Sequence, residues 1–385
     1  MSNELIIIVT LSLLIFATPF LAKITRLPTS VLEIIFGSVA GTVGLLHHIE
    51  LFELVAEFGF LYLMFLAGLE VDLKKVINTD KKLLKRGMFY ILSLYILSFL
   101  TVKYLNLSNI FIAILPLISV GLIAALIKEF GKKVKWLELS MTIGSLGEVV
   151  SIAVLTIISA GFEFGYGGKF YETIFYLSIF LLLILGIFKF LQILFWWYPE
   201  IKTTLMPRID KEEQDIRLSM AIFFIFIAIM VYLKLEVAFG AFIAGIFIAT
   251  FFEHKKALPH KLSSFGFGFF VPIFFIYTGS SFKLSALLMD GLVQKALMIT
   301  FLMIFIRVAS SFVFIKILGF KNSLLFGLSH SMPLTLLVAI ATLAYHAKSI
   351  DNFYYLAFIL ASLFEVLIVM TSIKIIMKLK RTNAV

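Results

Sequence analysis

The sequence predicts an all-α polytopic membrane protein of about thirteen transmembrane helices, built as two inverted six-helix repeats with crossed discontinuous helices. Three observations carry that expectation. Apolar residues make up 61% of the 385 positions, charged residues only 15%, and the mean hydropathy is +1.08, whereas a soluble domain carries about a quarter charged residues. The apolar residues also fall in runs of about 20, the length a helix needs to cross a bilayer. Finally, three short stretches recur in the same order in the two halves of the chain.

Thirteen segments meet the length criterion: 5–22, 30–48, 53–70, 87–105, 108–127, 137–160, 171–198, 217–233, 236–253, 263–281, 292–315, 322–346 and 352–375. No basic stretch precedes the first run, "ELIIIVTLSLLIFATPFLA", so it reads as a spanning helix and not as a cleaved signal. Of the 33 lysines and arginines, 25 fall in the loops on one side of these segments and 6 on the other. Basic loops face the cytoplasm, which places the N-terminus outside and the C-terminus inside a cell (inner) membrane. The net charge of +10 is therefore an orientation signal, and no nucleic-acid partner is expected. The chain has no cysteine, which excludes disulfides and thiolate metal sites. The longest polar connector is "PEIKTTLMPRIDKEEQDIRL", and the chain stops ten residues after its last run. One transmembrane domain over 1–385 is expected, and any soluble regulatory domain would be a separate polypeptide.

Segment two carries "IFGSVAGTVG" and segment nine "FGAFIAGIFIA", at an offset of 204 residues. Segment three, "LYLMFLAGLEVDLKKV", aligns with segment ten, "VPIFFIYTGSSFKLSAL", at 211, and "SLGEVV" of segment six with "SLFEVL" of segment thirteen at 217. Repeat one then covers about 1–160 and repeat two about 217–378, with segment seven, 171–198, as the linker. Six spans plus one linker invert the second copy, an organisation typical of secondary transporters, whose substrate site lies near the midplane. Segments five and twelve carry helix breakers at corresponding places: Pro116 and Gly121 flank Ser119, and Pro333 lies among Ser329, His330, Ser331 and Thr335. Such breaks free backbone groups that lipid cannot satisfy, so they must face a cavity or another part of the chain.

Three ionisable residues fall inside the runs of the same half-segments: Glu148 in segment six, Arg307 in segment eleven and Glu365 in segment thirteen. A charge at the bilayer centre costs about 2.5–3.5 kcal/mol, so these positions are functional hypotheses. Burial favours the neutral acid and a neighbouring guanidinium favours the carboxylate. An acid balanced between the two binds either a proton or a small cation. Glu148 is the expected carrier of a transported sodium or potassium ion, with Glu365 as a second titrating group. Hard cations take oxygen ligands, which Ser119, Ser145, Ser331 and Thr335 supply together with carbonyls at the breaks. Arg307, charged at all working pH values, is the charge partner. The bland reading is a structural Glu–Arg pair, and for His330 a hydrogen-bonded packing residue. No P-loop, dinucleotide-binding glycine pattern or His-Glu-x-x-His spacing is present, so neither an enzyme nor a cofactor is expected.

Several of these stretches resemble the monovalent cation:proton antiporters of the Kef and Nap type. "FLYLMFLAGLEVDLKKV" is similar to that family's third-segment motif and "AFGAFIAGIFIA" to its ninth. "PIFFIYTG" resembles its Pro-Phe-Phe…Gly motif, "ISVGLIAALIKEFG" its unwound fifth helix, and "GSLGEVVSIAVL" the helix bearing the ion-binding acid. The resemblance implies proton-for-cation exchange by alternating access, in a homodimer whose core domain moves against a dimerisation domain. It also implies that Glu148 stands at the essential acid, Gly147 at the polar residue before it, and Arg307 at a basic residue that pairs with the acid. The chain departs from the pattern in four ways: a glutamate replaces the aspartate, Gly147 offers no side chain, Ile118 replaces a threonine, and "HSMPLTLL" lacks a Gly-Glu after its proline. Two alternatives stay open at this point, a sodium-coupled organic-anion symporter and a non-transporting membrane sensor or subunit.

Overall fold

The computed structural model describes residues 3–25, 27–47, 49–71, 80–131, 134–165, 167–207, 212–252, 255–346 and 348–382, and the regular structure among them is helical. The first helices are α1 (Asn3–Thr25), α2 (Thr29–Val43), α3 (Glu50–Glu70), α4 (Lys81–Tyr104), α5 (Phe111–Ile114), α6 (Gly121–Phe130), α7 (Lys135–Phe164) and α8 (Gly168–Trp197). After a short α9 (Pro199–Leu205) come α10 (Gln214–Leu233), α11 (Val237–Phe251), α12 (Leu258–Phe265) and α13 (Val271–Ser281). The chain ends with α14 (Leu292–Ser311), α15 (Ile315–His330), α16 (Leu334–His346) and α17 (Asn352–Thr382).

All thirteen apolar runs coincide with helical structure. Nine stretches among the described residues are long and apolar enough to cross a membrane, and α2 and α11 are shorter apolar helices. With those two short helices, two further runs drop out of the count of thirteen. One stretch, Leu292–His346, joins two of the expected runs, and the run 108–127 is split into α5 and α6, neither of which is long enough alone. The run 263–281 is also interrupted: α12 and α13 are joined by a π turn over Gly266–Phe270, in the sequence "GFGFF". The end of the third-segment motif, from Asp72, lies outside the described residues.

The chain forms two compact units, one from 1–49, 75–155 and 275–385, the other from 50–74 and 156–274. In the second unit α3 packs against α11. A Cβ on Gly68 would collide with the Phe242 carbonyl oxygen, and one on Gly245 with the Phe65 carbonyl oxygen. The absence of side chains here lets two helix backbones touch, as small residues do in membrane bundles. Phe58, Tyr62, Phe223 and Phe270 fill the space beside that crossing with offset and edge-on ring contacts. At the start of α10, buried Asp215 is paired with Lys261 at 3.4 Å and Lys255 at 3.9 Å.

In the first unit the equivalent crossing joins α2 to the end of α13. Gly41 meets the backbone of Ser280, and Gly279 that of Ile34. The contact of Gly41 with Ser280 recurs, at the repeat offsets, as the contact of Gly245 with the Leu69 amide. The rest of this unit is built around the two interrupted helices. Helix α17 packs against both α14 and α16, α15 lies on α14, and α4 runs beside α14 and α5.

Candidate functional site

The first interruption spans residues 115–120, between α5 and α6, and the second spans 331–333, between α15 and α16. Pro116 lies inside the first and Pro333 inside the second, each removing a backbone donor that a continuous helix would use. Gly121 is the first residue of α6 and so follows the break.

The freed backbone groups of the first break find partners elsewhere in the unit. The Ile118 amide donates to Ser151 Oγ of α7 at 3.2 Å. The Leu117 carbonyl accepts from Arg307 of α14 through both Nε, at 3.1 Å, and Nη2. This accounting is what a break in hydrocarbon demands, since an unsatisfied group there costs several kcal/mol.

The two breaks meet at side chains. Ser119 Oγ donates to Glu148 Oε1 at 2.9 Å, and Thr335 Oγ1, in the first turn of α16, lies 3.1 Å from Ser119 Oγ. A hydroxyl has one proton to give. Ser119 gives its proton to Glu148, so Thr335 is the donor to Ser119. The result is a directed chain from Thr335 through Ser119 to the carboxylate. Glu148 is 1% exposed and Ser119 is 3% exposed, whereas Thr335 is half-buried. The carboxylate also stands where the N-terminal ends of α6 and α16 approach, the ends that carry partial positive charge.

Arg307 is fully buried, and its ion pair is with Glu365 of α17, Nη1 to Oε1 at 3.6 Å. Neither oxygen of Glu365 accepts a hydrogen bond among the described residues, nor does Arg307 Nη1 donate one. Sequence resemblance implies that the arginine partners the acid of segment six. In the structure its ion pair goes to segment thirteen, and its hydrogen bonds reach the break next to Ser119. The hydroxyls of Ser145 and Ser331 are buried too, but each donates to a carbonyl four residues back, Met141 within α7 and Gly327 in the last turns of α15. They do not join the Thr335–Ser119–Glu148 chain.

Sequence reasoning singled out His330 at the end of α15 as a hydrogen-bonded residue but did not name its partners. His330 Nε2 lies 3.0 Å from the Ser140 carbonyl oxygen, and Nδ1 lies 3.0 Å from Tyr90 Oη. A carbonyl only accepts, so Nε2 carries the proton and Nδ1 accepts from the tyrosine. Ser329 Oγ stands 2.9 Å from Ser140 Oγ in the same cluster. Tyr90 had a signal: it lies 217 residues before Arg307, the same offset that relates Glu148 to Glu365.

The family described as sodium/hydrogen exchanger, transmembrane, matches residues 8–379. The chain belongs to the sodium/hydrogen exchanger family. Among curated relatives, this exchanger is 29% identical over 325 residues to the probable Na(+)/H(+) antiporter 3 of Methanocaldococcus jannaschii, covering 80% of this chain and 79% of the relative. It is 26% identical over 373 residues to the Na(+)/H(+) antiporter of Enterococcus hirae, covering 93% and 94%. The solved structure of the sodium proton antiporter MjNhaP1 from Methanocaldococcus jannaschii superimposes with a TM-score of 0.65 at 16% identity, over 97% of this chain and 100% of that one. At that identity the likeness concerns the fold, and it extends over nearly the whole exchanger.

Proposed function

We propose that this chain exchanges protons for a monovalent cation, sodium or potassium, by alternating access, with Glu148 as the group that carries one or the other. The observation that carries the reading is the position of Glu148. It is a buried carboxylate, hydrogen-bonded by Ser119 from one helix break, with Thr335 from the other break next in line. A cation arriving there meets three oxygens, those of Glu148, Ser119 and Thr335, once the two hydroxyl protons turn away. A proton arriving instead neutralises the acid, and the hydroxyl chain reverses its direction.

Obligatory exchange follows from electrostatics. An empty, charged carboxylate in the membrane interior costs about 2.5–3.5 kcal/mol or more, and either cargo cancels that cost. The loaded carrier therefore moves between the two faces more readily than the empty one. The family assignment and the relatives named as antiporters favour exchange over a sodium-coupled symporter or a silent sensor. We further propose the inverted-repeat organisation, supported by the paired glycine contacts of Gly41 and Gly245. A homodimer in the cell membrane, with the N-terminus outside, completes the reading.

Glu148→Gln tests it. In proteoliposomes with a pH-sensitive dye, Na⁺, K⁺ or Li⁺ pulses move protons through the wild type and not through the variant. Competition for one site also predicts that the apparent KM for the cation rises as the pH falls. Full exchange in Glu148→Gln would remove the assignment.

A further inference from the structure

The 217-residue offset relates more than the two acids. It carries Tyr90 onto Arg307, Pro116 onto Pro333, Ser145 onto Ser362 and Glu148 onto Glu365. These pairs cover segments four to six and eleven to thirteen, which form the machinery around the breaks. The half holding Glu148 has a neutral tyrosine at the position where the half holding Glu365 has a guanidinium.

The consequence is visible in the side chains. Tyr90 turns to His330, so no positive charge is supplied from its position. Arg307, at the matching place, sets Nη1 3.6 Å from Glu365 Oε1, and the pair is wholly excluded from solvent. Glu365 has no hydrogen-bond donor on either oxygen among the described residues, so the guanidinium is the group that balances its charge. From the same guanidinium, Nε and Nη2 reach the Leu117 carbonyl, two residues before the Ser119 that binds Glu148.

We infer that Glu365 is the fixed counter-ion of Arg307, and that the pair is a sealed copy of the transport site. In it the guanidinium stands permanently where the other half takes up its cargo. The inference rests on the proposed exchange at Glu148 and deepens it, because it makes Glu148 the single acid that exchanges. Glu365 is then a positioning residue. Its negative charge cancels the arginine's, so that a cation can bind beside a guanidinium held on the same broken helix. Breaking one member of a buried pair strands the other charge, whereas removing both is often neutral.

The test compares Glu148→Gln, Glu365→Gln, Glu365→Asp and the double variant Arg307→Gln/Glu365→Gln in proteoliposomes, with Na⁺, K⁺ and Li⁺ each used alone. An uncancelled unit charge held at the Leu117 carbonyl, two residues from Ser119, raises the cation's KM by about tenfold in Glu365→Gln, with kcat within about twofold. Glu365→Asp keeps the charge and stays near the wild-type KM. The double variant removes both charges, while the amide placed at position 307 can still donate to the Leu117 carbonyl that Arg307 holds, so the KM returns to within about threefold of wild type. An unchanged KM in Glu365→Gln overturns the inference. So does loss of all exchange in both Glu365→Gln and the double variant, which would make Glu365 a carrier. If Glu365→Gln does not fold, as judged by size-exclusion chromatography, the double variant decides alone: a near-wild-type KM supports the inference and a lost cation response overturns it. Exchange surviving in Glu148→Gln sinks the transport assignment instead, so the two failures are told apart.

Discussion

At the first break, the Leu117 carbonyl is gripped by two N–H groups of Arg307, a side chain that keeps its charge under all working conditions. At the second, the end of α15 is held through His330, which donates to the Ser140 carbonyl and accepts from Tyr90. Both tie a break to its neighbours through buried polar groups, but in opposite senses: the arginine of α14 reaches in to a freed carbonyl, whereas the histidine of α15 reaches out to a carbonyl of α7 and a hydroxyl of α4. They differ in what else they bring. The arginine imports a charge, and with it the need for Glu365; the histidine, in its neutral tautomer, imports none. The charged clamp leaves one of the two matched acids already neutralised. The other, Glu148, is the proposed carrier.

Substitutions at the two clamps should separate these solutions by size of effect. Arg307→Ala removes two hydrogen bonds from the break and leaves Glu365 buried without its partner, which should cost about 3–5 kcal/mol of stability. Thermal unfolding of the detergent-solubilised protein, followed by tryptophan fluorescence, measures it; a shift no larger than that of the histidine variant would erase the distinction. His330→Leu leaves the Tyr90 hydroxyl without its acceptor, at about 1–3 kcal/mol for the group stranded, while the Ser140 carbonyl keeps its bond within α7. No charge is orphaned, so the expected loss lies below that of Arg307→Ala. His330→Gln, whose amide can donate from near the Nε2 position, should recover part of it.

Much of this fold was legible because hydrocarbon imposes simple rules. Thirteen apolar runs, basic loops and two prolines are one-dimensional signals, and the helices and their interruptions lie where those signals fall. The partner of Arg307 was not legible in the same way. Glu148 and Glu365 occupy matching positions in near-identical stretches, and hydropathy does not say which of them an arginine three segments away will reach. That choice depends on the packing of α14 against α17, a three-dimensional fact. Ser145 and Ser331 illustrate a second limit. Composition marks them as possible oxygen ligands, but a serine can return its proton to the carbonyl four residues earlier, and both do so here, Ser145 within α7 and Ser331 from the break back to α15. The split of segment ten by a π turn in "GFGFF" likewise has no counterpart in a hydropathy count, although glycines at a phenylalanine-rich run hint that the helix is irregular.

The smallest effects should come from the two hydroxyls, and they sharpen the comparison between the breaks at the point where these touch. Ser119→Ala deletes one of the three oxygens that the cation would meet, the one directly beside Glu148, so the cation's apparent KM should rise by about tenfold or more, the equivalent of about 1.4 kcal/mol. Thr335→Val is nearly isosteric and removes only the second hydroxyl of the chain. Ser119 can still donate to the carboxylate, and the half-buried position of Thr335 lets water replace the lost oxygen. The expected rise in KM is therefore about threefold, within the usual range for a neutral hydrogen bond partly made good by solvent. Measured side by side in the dye assay, the two variants report the direction of the chain. A larger effect from Thr335→Val than from Ser119→Ala would mean that the second break, and not the first, presents the oxygen that the cation binds beside Glu148.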